Sequence, residues 1–204
     1  MTEPGSGPAA TDADRRWLEQ AIALSRRCPP SQTAFAVGAV LVGPGGSVLA
    51  TGYSRESDPH DHAEEAALAK LHGKTQARSL RGARPDAGTG AGAGSGADAG
   101  TWADAGTGAD AGRGAGGGVA ALGLGAATLY SSLEPCRYRA SRPRPCAELI
   151  IAADVRRVVI AWLEPPVFAA GGGATLLREA GVTVVEVPEL AAAARAVNAA
   201  VLDT

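Results

Sequence analysis

Apolar and polar positions divide the chain into short segments that alternate between the period of a helix and that of a strand. A helical stripe that includes Trp17, Ile22 and Leu24 follows two aspartates that can cap a helix, and Cys28-Pro-Pro ends it. Apolar runs bounded by glycine, proline or serine indicate buried strands. The predicted elements up to residue 72 are a helix from Asp12 or Asp14 to Arg27, strands 36–42 and 47–53 joined by a turn at 43–46, and a helix over 62–72.

The same alternation resumes after a glycine-rich stretch. An opening hairpin followed by alternating strands and helices predicts parallel strands that are joined by right-handed crossovers. The fold class is therefore α/β, a three-layer α/β/α arrangement with a mixed five-stranded sheet and helices on both faces. The later predicted elements are strands 126–133, 155–162 and 182–187, a helix that opens at Pro145, a short helix over 173–180, and an alanine-rich helix from Pro188 to about Leu202.

The 28 glycines are unevenly distributed, since 14 of them lie between Gly82 and Gly118. This segment repeats Ala-Asp-Ala-Gly and Gly-Thr-Gly units, and Trp102 is its one large aromatic residue. It cannot bury enough surface to offset the entropy of ordering it. We interpret 82–118 as a flexible low-complexity insertion within a single domain that extends over 11–204, and we interpret 1–10 as a disordered tail.

Charge and cysteine usage exclude several classes of protein. A formal net charge of −2 argues against a nucleic-acid-binding or membrane-surface protein. No apolar run reaches about 18 residues, so no membrane span is expected. The N-terminus lacks the basic and apolar regions of a secretory signal, and three cysteines are too few for a disulfide framework. These observations predict a cytoplasmic protein, in which a close pair of cysteines indicates a metal or catalytic site.

The pattern that carries chemistry is His62-Ala-Glu64 at a predicted helix start, with Pro135-Cys136 after a strand and Pro145-Cys146 at a helix start. Catalytic Zn²⁺ takes three protein ligands of the imidazole and thiolate kind and keeps a fourth position for water, whose pKa it lowers. A glutamate beside a ligand can reach that water without binding the metal and can move its proton. We therefore expect a zinc site in which Glu64 is the acid and base.

The H-A-E motif together with Leu133-Glu-Pro-Cys136 resembles the zinc-dependent cytidine deaminase superfamily. The resemblance implies the cytidine-deaminase-like fold, zinc as cofactor, His62, Cys136 and Cys146 as its ligands, and Glu64 as the proton shuttle. It covers most of the chain outside the first ten residues and the insertion. It also implies that identical subunits associate, because pockets in this superfamily commonly lie next to subunit contacts.

The cysteine spacing points to one branch of that superfamily. Most members have two residues between the cysteines, whereas nine separate Cys136 from Cys146. A long loop with a second Pro-Cys is similar to the pyrimidine deaminases of riboflavin biosynthesis, and segments 33–38, 52–56 and 62–65 with Glu164-Pro165 look like their fungal branch. The resemblance implies hydrolytic deamination of a phosphorylated diaminopyrimidine, in the ribosylamino or ribitylamino form.

Substrate contacts are expected from the loops around this motif. Phe35 and Tyr138 can stack on a pyrimidine, although Phe35 beside a strand also suits the core. Glu134 either orients the substrate or caps the following segment. Guanidinium groups match phosphate oxygens, so at least one arginine between the cysteines is expected to bind phosphate. The candidate substrate residues are Thr33, Phe35, Glu134, Arg137, Arg139 and Arg142.

Other functions are open to the same motif. A cytidine or deoxycytidylate deaminase is the nearest alternative, since Phe35-Ala-Val-Gly-Ala39 also resembles cytidine deaminases. A tRNA adenosine deaminase fits less well, because the short cysteine spacing and a broad basic groove are missing. A non-catalytic zinc scaffold would need no Glu64 and would want a fourth protein ligand.

Overall fold

The computed structural model describes residues 8–82, 124–167 and 171–202, with the side chains of 74–82 excepted. The predicted insertion therefore lies outside the described residues apart from Gly82, and so do residues 1–7 of the predicted tail. In chain order the elements are α1 (Asp12–Ser25), β1 (Gly38–Val42), β2 (Val48–Tyr53), α2 (Ala63–Gly82), β3 (Thr128–Ser131), α3 (Cys146–Ala152), β4 (Arg157–Ile160), α4 (Gly173–Glu179), β5 (Thr183–Glu186), α5 (Ala191–Val197) and α6 (Ala199–Leu202).

The strands form one mixed sheet in the order β2-β1-β3-β4-β5. β1 is antiparallel to both β2 and β3, whereas β3, β4 and β5 are parallel. This topology confirms the predicted hairpin followed by parallel strands. Every residue of β1, an interior strand of this sheet, is buried, as expected for a strand that is covered on both faces.

Two glycines allow helices to approach the sheet closely from opposite sides. A β-carbon on Gly38 would overlap the Ala21 carbonyl oxygen of α1, and one on Gly52 would overlap the Ala63 carbonyl oxygen of α2. Gly52 pairs with Ala39, the neighbour of Gly38 on β1. Because successive residues of a strand face opposite sides, α1 and α2 cover opposite faces. The predicted helices on both faces are thereby confirmed.

Two boundaries differ from the predictions because of side-chain hydrogen bonds, one local and one between residues distant in the chain. The N-cap of α1 is Thr11 rather than Asp12 or Asp14, and Asp14 completes a capping box with it. The single helix predicted after Pro188 divides into a 3-10 turn, α5 and α6, with the break at Asn198. The Asn198 side-chain amide accepts from the Ala36 nitrogen at 2.7 Å and donates to its carbonyl at 3.1 Å. Those bonds anchor the chain just before β1.

The helix α2 begins where the sequence predicts but extends to Gly82 rather than ending near residue 72. Among the described residues, no helix is both long and apolar enough to cross a membrane.

A buried ion pair fastens α1 to the sheet. Asp14 is 2% exposed, and its two carboxylate oxygens accept from Arg157 of β4 at 2.7 and 2.9 Å. The Tyr130 hydroxyl of β3 donates to the same carboxylate at 3.0 Å. Burial opposes ionisation of Asp14, but Arg157 and Thr11 outweigh it, so the pKa of this carboxyl lies well below its usual range.

We expect Asp14→Asn to lower the free energy of unfolding by about 3 kcal/mol, because it leaves a largely buried guanidinium without its counter-charge. Urea unfolding at pH 7 measures this change. The loss should be complete above the unfolded pKa of about 4 and should shrink at lower pH, as the wild-type carboxyl is protonated towards its folded pKa.

Asp12→Asn is the matched control, since the Asp12 side chain is 91% exposed in the same helical turn. Its effect should stay within about 1 kcal/mol. Equal losses in the two variants would contradict the structural role assigned to Asp14.

Candidate metal centre and active site

Three metal-ligating side chains converge at the edge of the sheet where β3 ends. His62 immediately precedes α2, Cys136 lies in the loop after β3, and Cys146 is the first residue of α3. One potential ligand atom from each residue lies within 4.8 Å of the other two. The structure therefore brings together the three residues that the sequence predicts as a metal site.

The local fold explains why these segments meet. Close packing at Gly52 holds the start of α2 against the sheet. At α4, a β-carbon on Gly173 would overlap the Pro135 carbonyl oxygen, so that helix packs directly on the backbone beside Cys136. The Ala147 nitrogen donates to the Cys136 carbonyl at 3.2 Å, which joins α3 to the same loop.

The donor set fits zinc. Tetrahedral Zn–S and Zn–N bonds place neighbouring ligand atoms about 3.6 Å apart, and His62 Nδ1 lies 3.5 Å from Cys136 Sγ. Both cysteines are buried, and the Cys146 backbone nitrogen donates to Cys136 Sγ at 3.3 Å. Hydrogen bonding from the Cys146 thiol, together with His62, lowers the pKa of Cys136. Among the described residues the group has three ligands, the number typical of catalytic zinc.

Glu64 stands in the first turn of α2, next to the metal ligands, and is 3% exposed. Burial raises the pKa of its carboxyl. The Ser131 hydroxyl at the end of β3 donates to Glu64 Oε1 at 2.6 Å and fixes its orientation. Ser131 was not among the predicted site residues. The change from apolar to polar residues at the end of β3 is the feature of the sequence that could have indicated it.

A cavity of about 570 Å³ opens onto His62, Glu64 and Cys136. Of the predicted substrate residues, Thr33, Phe35, Glu134 and Arg139 line it, together with Tyr138, whereas Arg137 and Arg142 do not. The Phe35 side chain is also part of the core, because it is 7% exposed and packs edge-on against Trp162 at 5.5 Å.

Two of the arginines in the loop between the cysteines, Arg139 and Arg142, pair with carboxylates outside the loop. The Arg139 side chain is 3% exposed; it donates to Glu65 at 2.8 Å and to the His60 carbonyl at 3.3 Å, and it lies 3.8 Å from Cys146 Sγ. Arg142 pairs with Asp58, Asp61 and Glu65 at 3.0 to 3.4 Å. Both guanidinium groups therefore bind carboxylates of the chain itself.

Arg137 differs from these two arginines. Its Nε donates to the Tyr138 hydroxyl at 3.1 Å, and its guanidinium lies 5.6 Å from the centre of the Tyr138 ring. In the described part of the chain it has no carboxylate partner within 4.0 Å. Tyr138 is 62% exposed at the cavity wall, so the Arg137–Tyr138 pair is accessible to solvent.

Two further carboxyl groups stand in the cavity wall. Glu134 is 5% exposed, and both of its oxygens accept hydrogen bonds from backbone amides. It therefore caps α4, which is distant in sequence, rather than the segment that follows it. Glu164 Oε2 is buried without a hydrogen-bond partner. Burial and the negative charge around it raise the pKa of Glu164 to about 7. Glu164 was not among the predicted site residues; it appeared only in the Glu164-Pro165 segment that resembles the fungal branch.

Comparison with known proteins gives a consistent family. Residues 11–162 match the model of the cytidine and deoxycytidylate deaminase zinc-binding region. The chain is 30% identical to the diaminohydroxyphosphoribosylamino-pyrimidine deaminase of Schizosaccharomyces pombe over 170 residues. The aligned region covers 83% of this chain and 31% of that protein. The chain thus spans about a third of the length of this curated relative.

Solved structures share the fold. Acinetobacter baumannii RibD (form 2) superposes with a TM-score of 0.59 and 25% identity, over 94% of this chain and 39% of that one. The Aspergillus oryzae Rib2 deaminase in complex with DARIPP superposes with a TM-score of 0.56 and 19% identity, over 94% of this chain and 99% of that one. These likenesses confirm the predicted three-layer fold.

We expect Cys146→Ser to lower the affinity for zinc by more than about 100-fold, because it removes one of three ligands. Zinc content after dialysis, followed by competition with a chromogenic chelator, measures the effect.

Cys28→Ser is the matched control. Cys28 lies outside the ligand group, with its Sγ 3.3 Å from the Val37 carbonyl oxygen, so this variant should keep one zinc per chain. Full zinc content in Cys146→Ser would refute the assigned metal centre.

Proposed function

The chain belongs to the cytidine and deoxycytidylate deaminase family of zinc-binding domains, and we propose that it catalyses hydrolytic deamination of a phosphorylated diaminopyrimidine in riboflavin biosynthesis. The product would carry a ring carbonyl in place of the amine, with release of ammonia. The choice of substrate is supported above all by the 30% identity with the fission yeast pyrimidine deaminase across 83% of the chain. The nine-residue separation of the cysteines agrees with it.

The site offers the groups that this reaction requires. His62, Cys136 and Cys146 would hold zinc, which when bound supplies the Lewis acidity that lets water attack a ring carbon near neutral pH. Glu64 takes a proton from the water and delivers it to the ring nitrogen next to the attacked carbon. A second proton transfer through Glu64 lets the C–N bond break with ammonia as the leaving group. Ser131 keeps the Glu64 carboxyl facing the reacting atoms.

Recognition of the ring is assigned to the cavity wall. Thr33, Phe35 and Tyr138 line the cavity, and we propose that the two aromatic rings contact the pyrimidine. The unpaired oxygen of Glu164 suits the N–H donors of an aminopyrimidine, because a buried acceptor without a partner is costly until a ligand satisfies it.

Phosphate recognition is assigned to Arg137 among the three predicted arginines. Arg139 and Arg142 are engaged with Glu65 and with the aspartates before α2. Arg137 does not itself line the cavity, but it stacks on Tyr138, which does, and the described residues offer its terminal nitrogens no carboxylate. A guanidinium in that position matches phosphate oxygens on the sugar end of the substrate.

We predict that the zinc-loaded chain releases ammonia from the diaminopyrimidine ribosylamino or ribitylamino phosphate. Glu64→Gln should keep its zinc and lower kcat by at least about 100-fold, because the amide cannot shuttle protons. Ammonia detection on a substrate panel that includes cytidine and deoxycytidylate, beside zinc analysis, measures both results.

Glu148→Gln is the matched control. Glu148, like Glu64, lies in the first turn of a helix next to the metal site, but its side chain is exposed whereas that of Glu64 is buried. It should retain zinc and turnover. Activity on deoxycytidylate with none on the diaminopyrimidines would replace the proposed substrate by the alternative. Zinc binding without turnover on any substrate would favour a non-catalytic scaffold.

We also propose that the chain forms one deaminase domain interrupted by the segment 82–118. Strands on both sides of that segment belong to one sheet, since β1 pairs with β3 along four residues. Association of identical subunits, which the family resemblance implies, stays a prediction that light scattering of the purified chain can check.

Replacing about Asp86 to Gly117 by a short linker should leave zinc content and turnover within about twofold of the intact chain, because loop-closure cost changes slowly with loop length. Zinc analysis and ammonia release measure the result. Insoluble protein or lost activity would show that the segment does more than connect α2 to β3.

A further inference from the structure

The Glu134 carboxylate accepts hydrogen bonds from three backbone amides. Its Oε2 accepts from the Glu164 nitrogen at 2.9 Å, and its Oε1 accepts from the Gly172 nitrogen at 3.1 Å and the Ala174 nitrogen at 2.7 Å. The residue is 5% exposed. A buried carboxylate that accepts three amide protons is well satisfied, and such charge-assisted bonds are about twice as strong as neutral ones.

These bonds join three separate segments of the active-site wall. Glu134 itself lies two residues before the metal ligand Cys136. Glu164 follows β4, and Gly172 and Ala174 belong to the start of α4. The backbone nitrogen of Glu134 also donates to the Trp162 carbonyl at 2.8 Å, so main chain and side chain both hold the segment after β4.

The Glu164 carboxyl extends into the cavity from this fastened segment. Glu164 lines the cavity beside His62, Glu64 and Cys136, and its Oε2 is buried without a partner. The bond between Glu134 Oε2 and the Glu164 nitrogen therefore fixes the backbone from which that carboxyl extends.

We propose that Glu134 is a positioning residue for substrate recognition, which fixes the backbone from which Glu164 reaches the pyrimidine. The inference rests on the proposed function, because it takes Glu164 as the acceptor for the ring. The carboxylate oxygens of Glu134 accept from backbone amides, so its proposed role is to position other groups rather than to bind the ring. It joins the segment after β4, which carries Glu164, to the loop after β3, which carries Cys136.

Three variants of the full zinc-loaded chain test this role: Glu134→Gln, Glu164→Gln and the double variant. Glutamine keeps the size of the side chain but directs an NH₂ group at backbone amides, so one or more of the three bonds is lost. We expect Glu134→Gln to raise KM by about tenfold while kcat changes less than about threefold, because the lost contact acts on ground state and transition state alike.

The KM of the double variant shows whether Glu134 acts through Glu164. If Glu134 acts through Glu164, the double variant should have the KM of Glu164→Gln within about twofold. Zinc content should stay at one per chain in all three variants. Multiplied effects on KM, or a parallel loss of zinc and kcat in Glu134→Gln, would overturn the proposal.

Hydrogen–deuterium exchange separates this inference from the function on which it rests. In Glu134→Gln the amides of Glu164, Gly172 and Ala174 should exchange faster, while those of β1 should not change. That comparison needs no substrate, whereas absence of ammonia release by the wild-type chain would refute the proposed function alone. Unchanged exchange at the three amides would overturn the role of Glu134. Should Glu134→Gln fail to fold, Glu134→Asp, which keeps the charge but shortens the reach, is expected to give the same pattern.

Discussion

Close contact between α2 and β2 at Gly52 determines where the chemical groups of the site stand. A β-carbon at Gly52 would overlap the Ala63 carbonyl oxygen, so a larger residue would push the start of α2 away from the sheet. His62 and Glu64 are carried by that start, whereas Ser131 and Cys136 are carried by the end of β3. The 2.6 Å bond from Ser131 to Glu64 and the 3.5 Å approach of His62 to Cys136 both span this junction. Helix-to-sheet packing, rather than any local motif, therefore sets the geometry of the site.

The charges of the long loop between the cysteines are balanced mostly within the chain. Arg139 is almost fully buried and pairs with Glu65, one residue after Glu64, while Arg142 reaches Asp61, one residue before His62. Each pair ties the loop to the segment that carries His62 and Glu64. Because a buried guanidinium is costly without a counter-charge, the pair with Glu65 offsets the burial of the Arg139 side chain. A loop of this length can thus be held close to the metal centre without a second metal or a disulfide.

The sequence predicts the order of the helices and strands well, but it does not predict polar contacts between residues that are distant in the chain. The periodicity of apolar residues predicted the hairpin, the parallel strands and the helix starts, because those depend on local spacing. The metal ligands were predictable because His62, Cys136 and Cys146 form a pattern with one chemical purpose. Ser131, by contrast, meets Glu64 across 67 residues, Asn198 meets Ala36 across 162, and Glu134 meets Ala174 across 40. No local period encodes such pairs, so the break at Asn198, the orientation of Glu64 and the cap on α4 required the fold itself.

Three carboxyl groups share the cavity wall and differ in their hydrogen-bond partners. Glu64 has one hydroxyl donor on Oε1 and stands beside the metal ligands, which suits a group that must gain and lose a proton. Glu134 accepts hydrogen bonds from three backbone amides, which suits a group that holds separate segments together. Glu164 has a buried oxygen without a hydrogen-bond partner, which suits a group that accepts a hydrogen bond from an N–H of the substrate ring. Because the hydrogen-bond partners around each carboxyl differ, the same kind of side chain suits three different proposed roles within one cavity: proton transfer, structure and recognition.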